Sequence, residues 1–263
     1  MTERIGDLLL ERVGPSGRSG RPPLLFVHGM HGGSWYWTNY LGAAAEAGWE
    51  AWALNLRGHH GSRPVPNLGK VSVLDYVRDV FECLQALEKV VLVGHSMGGL
   101  IAQKVAEAGG LRAAVFLTSA PPRGISVLRW PVVSRMVRDL RAIFSNSPLV
   151  PHRANADALV LNRLPPSLKQ WAFDQFVPES SRAVRELAFG LVRVDPRRTT
   201  CPMLVVGAEH DMITPVAVQR KIAARYHAEY LEMAGHAHML MLEDGWERSI
   251  QQILAWAERA TRS

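Results

Sequence analysis

The sequence predicts an α/β fold: a mainly parallel central sheet flanked by helices, with a helical cap inserted into it. Short runs of apolar residues recur along the chain and indicate buried strands. Between these runs, apolar residues return at three- and four-residue spacing, which indicates amphipathic helices. Strands that alternate with helices in this way form the crossover units of a parallel sheet. A chain of 263 residues is long enough to bury the core of such a domain.

The predicted strands are short, rich in valine, leucine and alanine, and closed by glycine or polar residues. They cover residues 24–27, 51–54, 90–93, 113–117, 203–206 and 229–233. Apolar stripes at helical spacing cover residues 73–87, 100–108 and 246–257. Each stripe lies on one face of its helix, so we expect these helices to pack against the sheet.

The alternation of strands and helices stops within residues 121–198. Strand-like runs are absent there, prolines divide the segment, and residues 132–144 and 180–192 have helical patterns. We therefore predict a core domain made of residues 1–120 and 199–263 and a helical cap made of residues 121–198. Residues 121–200 contain thirteen lysines and arginines against six acidic residues, although the net charge of the whole chain is +6. A solvated helical surface explains this excess, and attraction to anionic substrates or membrane surfaces is the alternative.

The composition excludes several other classes of protein. Apolar residues make up 48% of the chain and charged residues 21%, which is ordinary for a globular protein. The sequence has neither a signal-peptide pattern nor an apolar run of membrane-spanning length, so we expect a cytoplasmic protein without an integral membrane span. No nucleic-acid-binding motif accompanies the basic residues, and the sequence leaves the oligomeric state undetermined. Cys83 and Cys201 lie in apolar segments, where buried thiols are expected rather than a disulfide.

One pentapeptide, Gly94-His95-Ser96-Met97-Gly98, lies between a predicted strand and a predicted helix. The pattern Gly-x-Ser-x-Gly recurs by chance in many proteins, but at a strand–turn–helix junction it is typical of a nucleophilic serine. A sharp turn lifts the hydroxyl clear of the sheet, and glycine on either side lets neighbouring backbone approach closely. The N-terminus of the following helix also favours developing negative charge. We predict Ser96 as the nucleophile.

A nucleophilic serine needs a histidine to take its proton, and the histidine needs a carboxylate to orient it. The loop after the strand at 203–206 contains Glu209 and Asp211, of which we predict Asp211 as the acid. The loop after the last predicted strand contains His236 and His238. A glycine directly before His236 favours that residue, whereas the position just ahead of the last helix favours His238. The residues alone leave both open as the base.

These motifs resemble the α/β-hydrolase superfamily, and within it the serine esterases and lysophospholipases, over nearly the whole chain. The order Ser96, Asp211, His238 is the order of the triad residues in that fold. Residues 238–247, His-Met-Leu-Met-Leu-Glu-Asp-Gly-Trp-Glu, are similar to a segment near the end of many such esterases. The resemblance therefore implies His238 as the base and leaves His236 as the alternative.

The segment His28-Gly29-Met30-His31-Gly32 resembles the His-Gly-x-x-Gly loop of the same superfamily. The resemblance implies that the oxyanion hole is formed by the backbone amides of Met30 and Met97. A metal site is the other explanation for histidines in this part of the chain, namely His28, His31, His59 and His60. Carboxylate partners and metal-ligand spacing are missing from their surroundings in the sequence, so we expect neither a metal nor an organic cofactor.

The resemblance implies an enzyme that hydrolyses a small-molecule carboxylic ester through an acyl-enzyme, with a small or medium acyl group. Apolar residues of the predicted cap are candidates for the acyl pocket: Trp130, Met136, Phe144, Trp171 and Phe176. Acyl transfer to an alcohol or thiol, or hydrolysis of a carbon–carbon bond, would use the same three residues. A non-catalytic ligand-binding protein on this fold is the alternative from a different class.

Overall fold

A computed structural model describes residues 1–15, 19–127 and 140–262, and within them eight strands form one sheet. The strands are β1 (Thr2–Ile5), β2 (Leu8–Val13), β3 (Leu24–Val27), β4 (Ala51–Asn55), β5 (Val91–His95), β6 (Ala113–Leu117), β7 (Met203–Ala208) and β8 (Glu229–Met233). Their order across the sheet is β1-β2-β4-β3-β5-β6-β7-β8. The pairs β1–β2 and β2–β4 are antiparallel and all the others are parallel. The prediction of a mainly parallel sheet is confirmed.

The hairpin of β1 and β2 is the part of the sheet that the sequence analysis did not predict. These strands read Thr-Glu-Arg-Ile and Leu-Leu-Leu-Glu-Arg-Val, so each mixes apolar with charged residues. Most of their side chains are only partly buried, because the hairpin forms one edge of the sheet. A half-exposed edge strand lacks the continuous apolar run that identifies the central strands.

Helices follow the strands in the alternation that the sequence predicts. The α-helices of the described residues are α1 (Thr38–Glu46), α2 (Val73–Ala86), α3 (Met97–Ala106), α4 (Leu140–Ser145), α5 (Arg153–Asn155), α6 (Pro166–Asp174), α7 (Ser181–Ala188), α8 (Val216–Tyr226) and α9 (Trp246–Thr261). Short 3-10 turns cover Ser34–Trp37, Leu68–Lys70 and Pro196–Arg198, and a π-helical turn covers Ala156–Val160. Helix α2 begins with a capping box, in which Ser72 and Asp75 exchange hydrogen bonds with each other's backbone amides.

Each face of the sheet is covered by its own set of helices. Because successive strand residues point to opposite faces, Leu25 and Val27 join a core with α2, α3 and α8, whereas Leu24 and Phe26 join a core with α1 and α9. The sheet therefore lies between two helical layers, as the predicted crossover units require.

Strand β3 is the point at which the order of the strands across the sheet changes direction. This strand pairs with β4 on one side and with β5 on the other. In open parallel sheets, such a reversal leaves a crevice beyond the carboxyl ends of the two strands, and ligands bind there. The loop after β3 and the turn after β5 carry the predicted oxyanion loop and Ser96, so both reach this crevice.

The chain between β6 and β7 contains helices α4 to α7. Helix α7 occupies part of the range 180–192, as predicted, and α4 covers the described end of the range 132–144. Residues 128–139, which include Trp130 and Met136, lie outside the described residues. The division into a core and a cap at residues 121–198 remains a prediction. In the described part of the chain, none of the helices combines the length and apolar character needed to span a bilayer.

Candidate active site

Ser96 occupies the turn between β5 and α3. Its backbone has φ 53° and ψ −116°, a left-handed region that a residue with a Cβ rarely adopts. A Cβ at Gly94 would collide with the backbone of Gly98, and a Cβ at Gly98 would collide with the carbonyl oxygen of Val27. The strained turn therefore depends on glycine at both positions, and it lifts the Ser96 side chain to the carboxyl end of the sheet.

The side chain of His238 lies between those of Ser96 and Asp211. Its Nε2 is 3.1 Å from Ser96 Oγ and its Nδ1 is 2.8 Å from Asp211 Oδ2. Because an ionised carboxylate only accepts hydrogen bonds, the neutral ring carries its proton on Nδ1 and accepts the Ser96 hydroxyl proton at Nε2. All three residues are buried. This geometry allows His238 to take the serine proton while Asp211 holds the ring.

Asp211 follows β7 and is fixed by the turn that leads into α8. Its Oδ1 accepts hydrogen bonds from the amides of Ile213 at 2.7 Å and Thr214 at 2.9 Å, and its Oδ2 accepts one from Thr214 Oγ1 at 2.8 Å. Burial by itself raises the pKa of this carboxyl. The electrostatic attraction to the His238 ring and the hydrogen bonds from His238 and Thr214 outweigh burial, so the pKa of Asp211 lies below its ordinary value. The carboxylate is therefore ionised and oriented.

The two rival residues of the sequence analysis lie elsewhere. His236 Nδ1 is 3.3 Å from Glu243 Oε2, which also accepts a hydrogen bond from the amide of Ala237 at 2.7 Å. Glu209 is largely exposed and accepts a hydrogen bond from the amide of Gly235 at 2.9 Å. The described contacts of both residues stabilise the loop after β8 and do not include Ser96.

Two further side chains hold the backbone of His238. The ring of His95 donates from Nε2 to the His238 carbonyl at 2.9 Å, and Thr118 Oγ1 donates to the same oxygen at 3.3 Å. Burial, followed by the nearby His238, lowers the pKa of His95 well below its ordinary value, so this ring stays neutral. No sequence pattern assigns a role to either residue. The only signals were that His95 adjoins Ser96 and that Thr118 follows a strand whose end meets the same crevice.

The loop after β3 lies directly against the turn that contains Ser96. A Cβ built at Gly29 would stand 2.9 Å from Ser96 Cβ, so only glycine fits there. Met30 lines the same cavity as Ser96 and His238. Met97 is the first residue of α3, and the first amides of a helix have no acceptor within the helix. The two predicted oxyanion donors therefore belong to segments that meet at Ser96.

Ser96 and His238 open into a cavity of about 230 Å³. Its wall is mostly aliphatic, and the chain between β6 and β7 supplies much of it, including Leu149, Val150, Leu159, Val160, Val184 and Leu187. The polar residues at the wall include His31, His152, Asn155 and Thr214. Among the described residues, no aspartate, glutamate, lysine or arginine lines this cavity. Such a cavity suits an uncharged, apolar group.

The predicted pocket residues have different positions. Phe176 lines the cavity. Trp171 is 41% exposed and packs edge-on against Trp35, and Phe144 is 60% exposed and lies beside Phe189, so neither is part of the cavity wall. Short helices turn only one face inwards, and the sequence pattern does not reveal which face that is. Trp130 and Met136 lie outside the described residues.

Most of the chain matches one protein family. The model of a family described as the alpha/beta hydrolase family matches residues 24–251. The chain belongs to the α/β-hydrolase family. The predicted family and fold are therefore confirmed. No group of three or more histidine, cysteine, aspartate or glutamate side chains in the described part of this α/β-hydrolase is arranged to hold a metal ion.

Curated relatives of this α/β-hydrolase include proteins that are named as hydrolases and esterases. A protein of Variovorax paradoxus named as the carbamate hydrolase RutD is 27% identical over 244 residues, which are 88% of this chain and 91% of the relative. The esterase PIR7B of Oryza sativa is 34% identical over 112 residues, which are 40% of this chain and 41% of the relative. A carbendazim hydrolyzing esterase of a Nocardioides species is 32% identical over 109 residues, covering 40% of this chain and 45% of that protein.

Solved structures resemble this α/β-hydrolase over nearly its whole length. A thermophilic esterase from Thermogutta terrifontis has a TM-score of 0.71 and 20% identity, with 97% of this chain and 94% of that chain covered. The monoacylglycerol lipase of Paleococcus ferrophilus has a TM-score of 0.72 and 20% identity, with 95% and 98% covered. At this level of identity the likeness demonstrates a shared fold.

Proposed function

We propose that this protein is a serine hydrolase that cleaves uncharged carboxylic esters through an acyl-enzyme. The observation that carries the proposal is the hydrogen-bonded chain from Asp211 through His238 to Ser96, which ends in an apolar cavity. The names of the three relatives described above, a carbamate hydrolase and two esterases, support the same reaction class.

In the first half of the proposed reaction, Ser96 Oγ attacks the ester carbonyl carbon while its proton moves to His238 Nε2. The ring becomes a cation, and Asp211 stabilises it through the 2.8 Å hydrogen bond to Nδ1. The carbonyl oxygen takes the negative charge of the tetrahedral intermediate, which the amides of Met30 and Met97 stabilise. His238 then gives its proton to the leaving alcohol, which leaves an acyl group on Ser96.

In the second half, water enters the site and His238 removes one of its protons. The hydroxide attacks the acyl carbon, and the same two amides stabilise the second tetrahedral intermediate. The bond to Ser96 Oγ breaks, the oxygen recovers its proton from His238, and the carboxylic acid leaves. One fixed oxyanion donor contributes about 10²–10³ to the rate in enzymes of this type, which is why the position of Met30 matters.

The cavity defines the proposed substrate class. Its wall is aliphatic and, among the described residues, carries no charged aspartate, glutamate, lysine or arginine. A small or medium apolar acyl or alcohol group gains free energy there, whereas a carboxylate or ammonium group would lose its hydration without a described aspartate, glutamate, lysine or arginine to pair with. The arginines of the described residues 140–200 therefore do not favour anionic substrates at this cavity. Carbamates belong in the tested panel because a relative is named as a carbamate hydrolase.

The test is a panel of p-nitrophenyl esters from acetate to decanoate, with a p-nitrophenyl carbamate and a negatively charged succinate monoester. We expect turnover of the uncharged esters, with a preference for the short and medium chains, and poor turnover of the succinate. Ser96→Ala should reduce kcat by at least about 10³-fold and abolish labelling by a fluorophosphonate. Glycerol or a thiol added as a competing acceptor reports acyl transfer through product analysis.

Two results would contradict the proposal. One is a purified wild-type protein that neither hydrolyses any ester of the panel nor reacts with the fluorophosphonate. The other is ester hydrolysis that persists undiminished in Ser96→Ala, since the activity would then belong to another group or to a contaminant.

A further inference from the structure

Glu179 is a fully buried carboxylate close to the oxyanion loop. It lies between β6 and β7, just before α7, and its backbone forms an isolated antiparallel bridge with Leu149. Its Oε1 accepts hydrogen bonds from the Tyr76 hydroxyl at 2.6 Å and from the amide of Ser180 at 2.7 Å. Its Oε2 accepts from His59 Nε2 at 3.2 Å. Buried charges are rare unless they are fully paired, and this one is paired on every side.

The contacts of the pairing partner His59 favour its protonated form. Its Nε2 faces Glu179, and its Nδ1 lies 3.0 Å from the carbonyl oxygen of Arg57. Both neighbours only accept hydrogen bonds, so both ring nitrogens carry protons. Burial lowers the pKa of His59, but the charge and hydrogen bond of Glu179 outweigh it, and the pKa lies above its ordinary value. Burial likewise raises the pKa of Glu179, yet the charge of His59 lowers it to about 2.

The fourth hydrogen bond of Glu179 reaches the oxyanion loop itself. Its Oε2 accepts from the backbone amide of His31 at 3.2 Å. The carbonyl of the same peptide group belongs to Met30 and accepts a hydrogen bond from the Tyr36 hydroxyl at 3.0 Å. This one peptide plane is therefore held at its oxygen by Tyr36 and at its N–H by Glu179.

The peptide group on the other side of Met30 is held as well. Its oxygen, the carbonyl of Gly29, accepts a hydrogen bond from His28 Nδ1 at 2.7 Å. His31 itself has φ 61°, which is strained for a residue with a Cβ, and it exchanges backbone and side-chain hydrogen bonds with Val177. Both peptide planes that flank Met30 are thus fixed, and together they determine where its amide points.

Only a carboxylate satisfies the four donors around Glu179. Each oxygen accepts two hydrogen bonds, from Tyr76 and Ser180 on one side and from His59 and His31 on the other. A glutamine would present an NH₂ group to one of these pairs of donors. An aspartate would keep the charge but would end one methylene group short of the His31 amide.

From these contacts we infer that Glu179 is a positioning residue for ester hydrolysis, which fixes the Met30–His31 peptide and so aims the Met30 amide at the oxyanion. The inference rests on the proposed function. It also means that the chain between β6 and β7 contributes more than a pocket wall. Through Glu179, the correct geometry of the oxyanion hole depends on that chain being seated against the loop after β3.

The experiment compares Glu179→Gln and Glu179→Asp with the wild-type enzyme, using p-nitrophenyl butyrate and a trifluoromethyl ketone. Ser96 adds to the ketone carbonyl and forms a tetrahedral adduct whose oxygen occupies the oxyanion hole. We expect kcat to fall by about 10- to 100-fold in Glu179→Gln, with KM within about threefold. The reason is that the Met30 amide stabilises the tetrahedral state and not the bound ester, so its displacement affects kcat and not KM. The affinity for the ketone should fall by the same factor. Glu179→Asp retains the charge next to His59, so it provides a folded variant if the glutamine variant does not fold.

Asp79→Asn is the matched control. Asp79 is another fully buried carboxylate, and it accepts hydrogen bonds from the amide and guanidinium of Arg57 without touching the oxyanion loop. This variant should lower Tm, yet leave kcat and the ketone affinity within about twofold of wild type.

Two outcomes would overturn the inference. One is a folded Glu179 variant with wild-type kcat and wild-type ketone affinity; the other is a raised KM at unchanged kcat. Both outcomes require a wild-type enzyme that is active. If the proposed function is wrong, the wild type itself is inactive and unlabelled, so the two failures can be distinguished.

Discussion

At the residue scale, two histidines near the end of the chain differ in their partners. His238 lies between Ser96 and Asp211, and His95 and Thr118 hold its backbone carbonyl. His236 is nearly as buried, but its ring faces Glu243. Burial alone therefore does not separate the two residues. The two rings differ in the side chains that lie within hydrogen-bonding distance of their nitrogens.

Substitution of each histidine by alanine tests this difference. We expect His238→Ala to reduce kcat for p-nitrophenyl butyrate by at least about 10³-fold, because Ser96 then has no base. His236→Ala should retain kcat within about tenfold and lower Tm, since it loses packing and the contact with Glu243. Steady-state kinetics and thermal unfolding of both variants supply the measurement. Equal large losses of kcat would contradict the assignment of the base to His238.

The candidate triad could be predicted from the sequence because each of its residues follows a strand of the parallel sheet. Carboxyl ends of parallel strands meet at one edge, so a motif after one strand indicates which later loops to search. The contacts of Glu179 could not be predicted in this way. Its partners Tyr76 and His31 are 103 and 148 residues away in the chain, and no local pattern indicates that they meet.

At the element scale, β5, α3 and the end of β3 come close together at the turn that contains Ser96. Gly98 lies in the first turn of α3, against the carbonyl oxygens of Val27 and His28. A side chain at this position would push α3 away from β3. The packing of α3 against β3 therefore determines the distance between Ser96 and the loop of Met30.

We expect Gly98→Ala to lower the free energy of unfolding by about 1–3 kcal/mol, because its methyl group meets backbone that cannot yield as a flexible side chain would. Its kcat should fall as well, since the loop of Met30 is displaced. Gly42→Ala is the matched control: Gly42 lies inside α1 with nothing within 4 Å of its Cβ position, so alanine should stabilise by about 0.5–1 kcal/mol. Urea denaturation of both variants measures the change in the free energy of unfolding, which should be negative for Gly98→Ala and positive for Gly42→Ala. A Gly98→Ala variant as stable as wild type would show that α3 packs less closely against β3 than described.

The β1–β2 hairpin marks the limit of sequence prediction at this scale. Central strands were predicted because both of their faces are buried, which requires apolar residues throughout. Strand β2 pairs with β4, about forty residues further along the chain, and its outer neighbour β1 is half-exposed. Such a strand cannot be identified from its own composition, because its pairing depends on the strand next to it.

At the scale of the whole molecule, several ionisable groups are enclosed by the fold. His28 donates from Nδ1 to the Gly29 carbonyl and accepts at Nε2 from the amide of Leu56, so both nitrogens suit a neutral ring. Burial lowers the pKa of His28 to about 3 and lowers that of His95 well below its ordinary value. His59 differs, because the charge of Glu179 overcomes burial and raises its pKa.

These shifts predict how stability depends on pH. In the unfolded chain His28 and His95 bind protons near pH 6.5, whereas in the folded protein they stay neutral, so acid favours unfolding. Below pH 6.5 each should remove up to about 1.4 kcal/mol of stability per pH unit, down to about pH 3 for His28. Glu179, with its pKa lowered to about 2, adds a further loss below its ordinary pKa of 4.5. The raised pKa of His59 acts in the opposite direction: its contribution is complete below pH 6.5 and is lost as the pH rises through the folded value.

Urea denaturation at pH 7, 6 and 5 measures the acid side of this dependence. The free energy of unfolding should fall steadily from pH 6.5 to pH 5 in the wild type. The slope should be shallower in His28→Asn, because the asparagine side chain cannot titrate. His210→Asn is the control, because it makes the same substitution at an exposed histidine. The variants are compared by the slope of the free energy of unfolding against pH, because any packing defect in His28→Asn lowers the stability equally at every pH. A wild-type stability that stays constant from pH 7 to pH 5 would mean that the folded protein admits these protons, and that His28 and His95 are less enclosed than their contacts indicate.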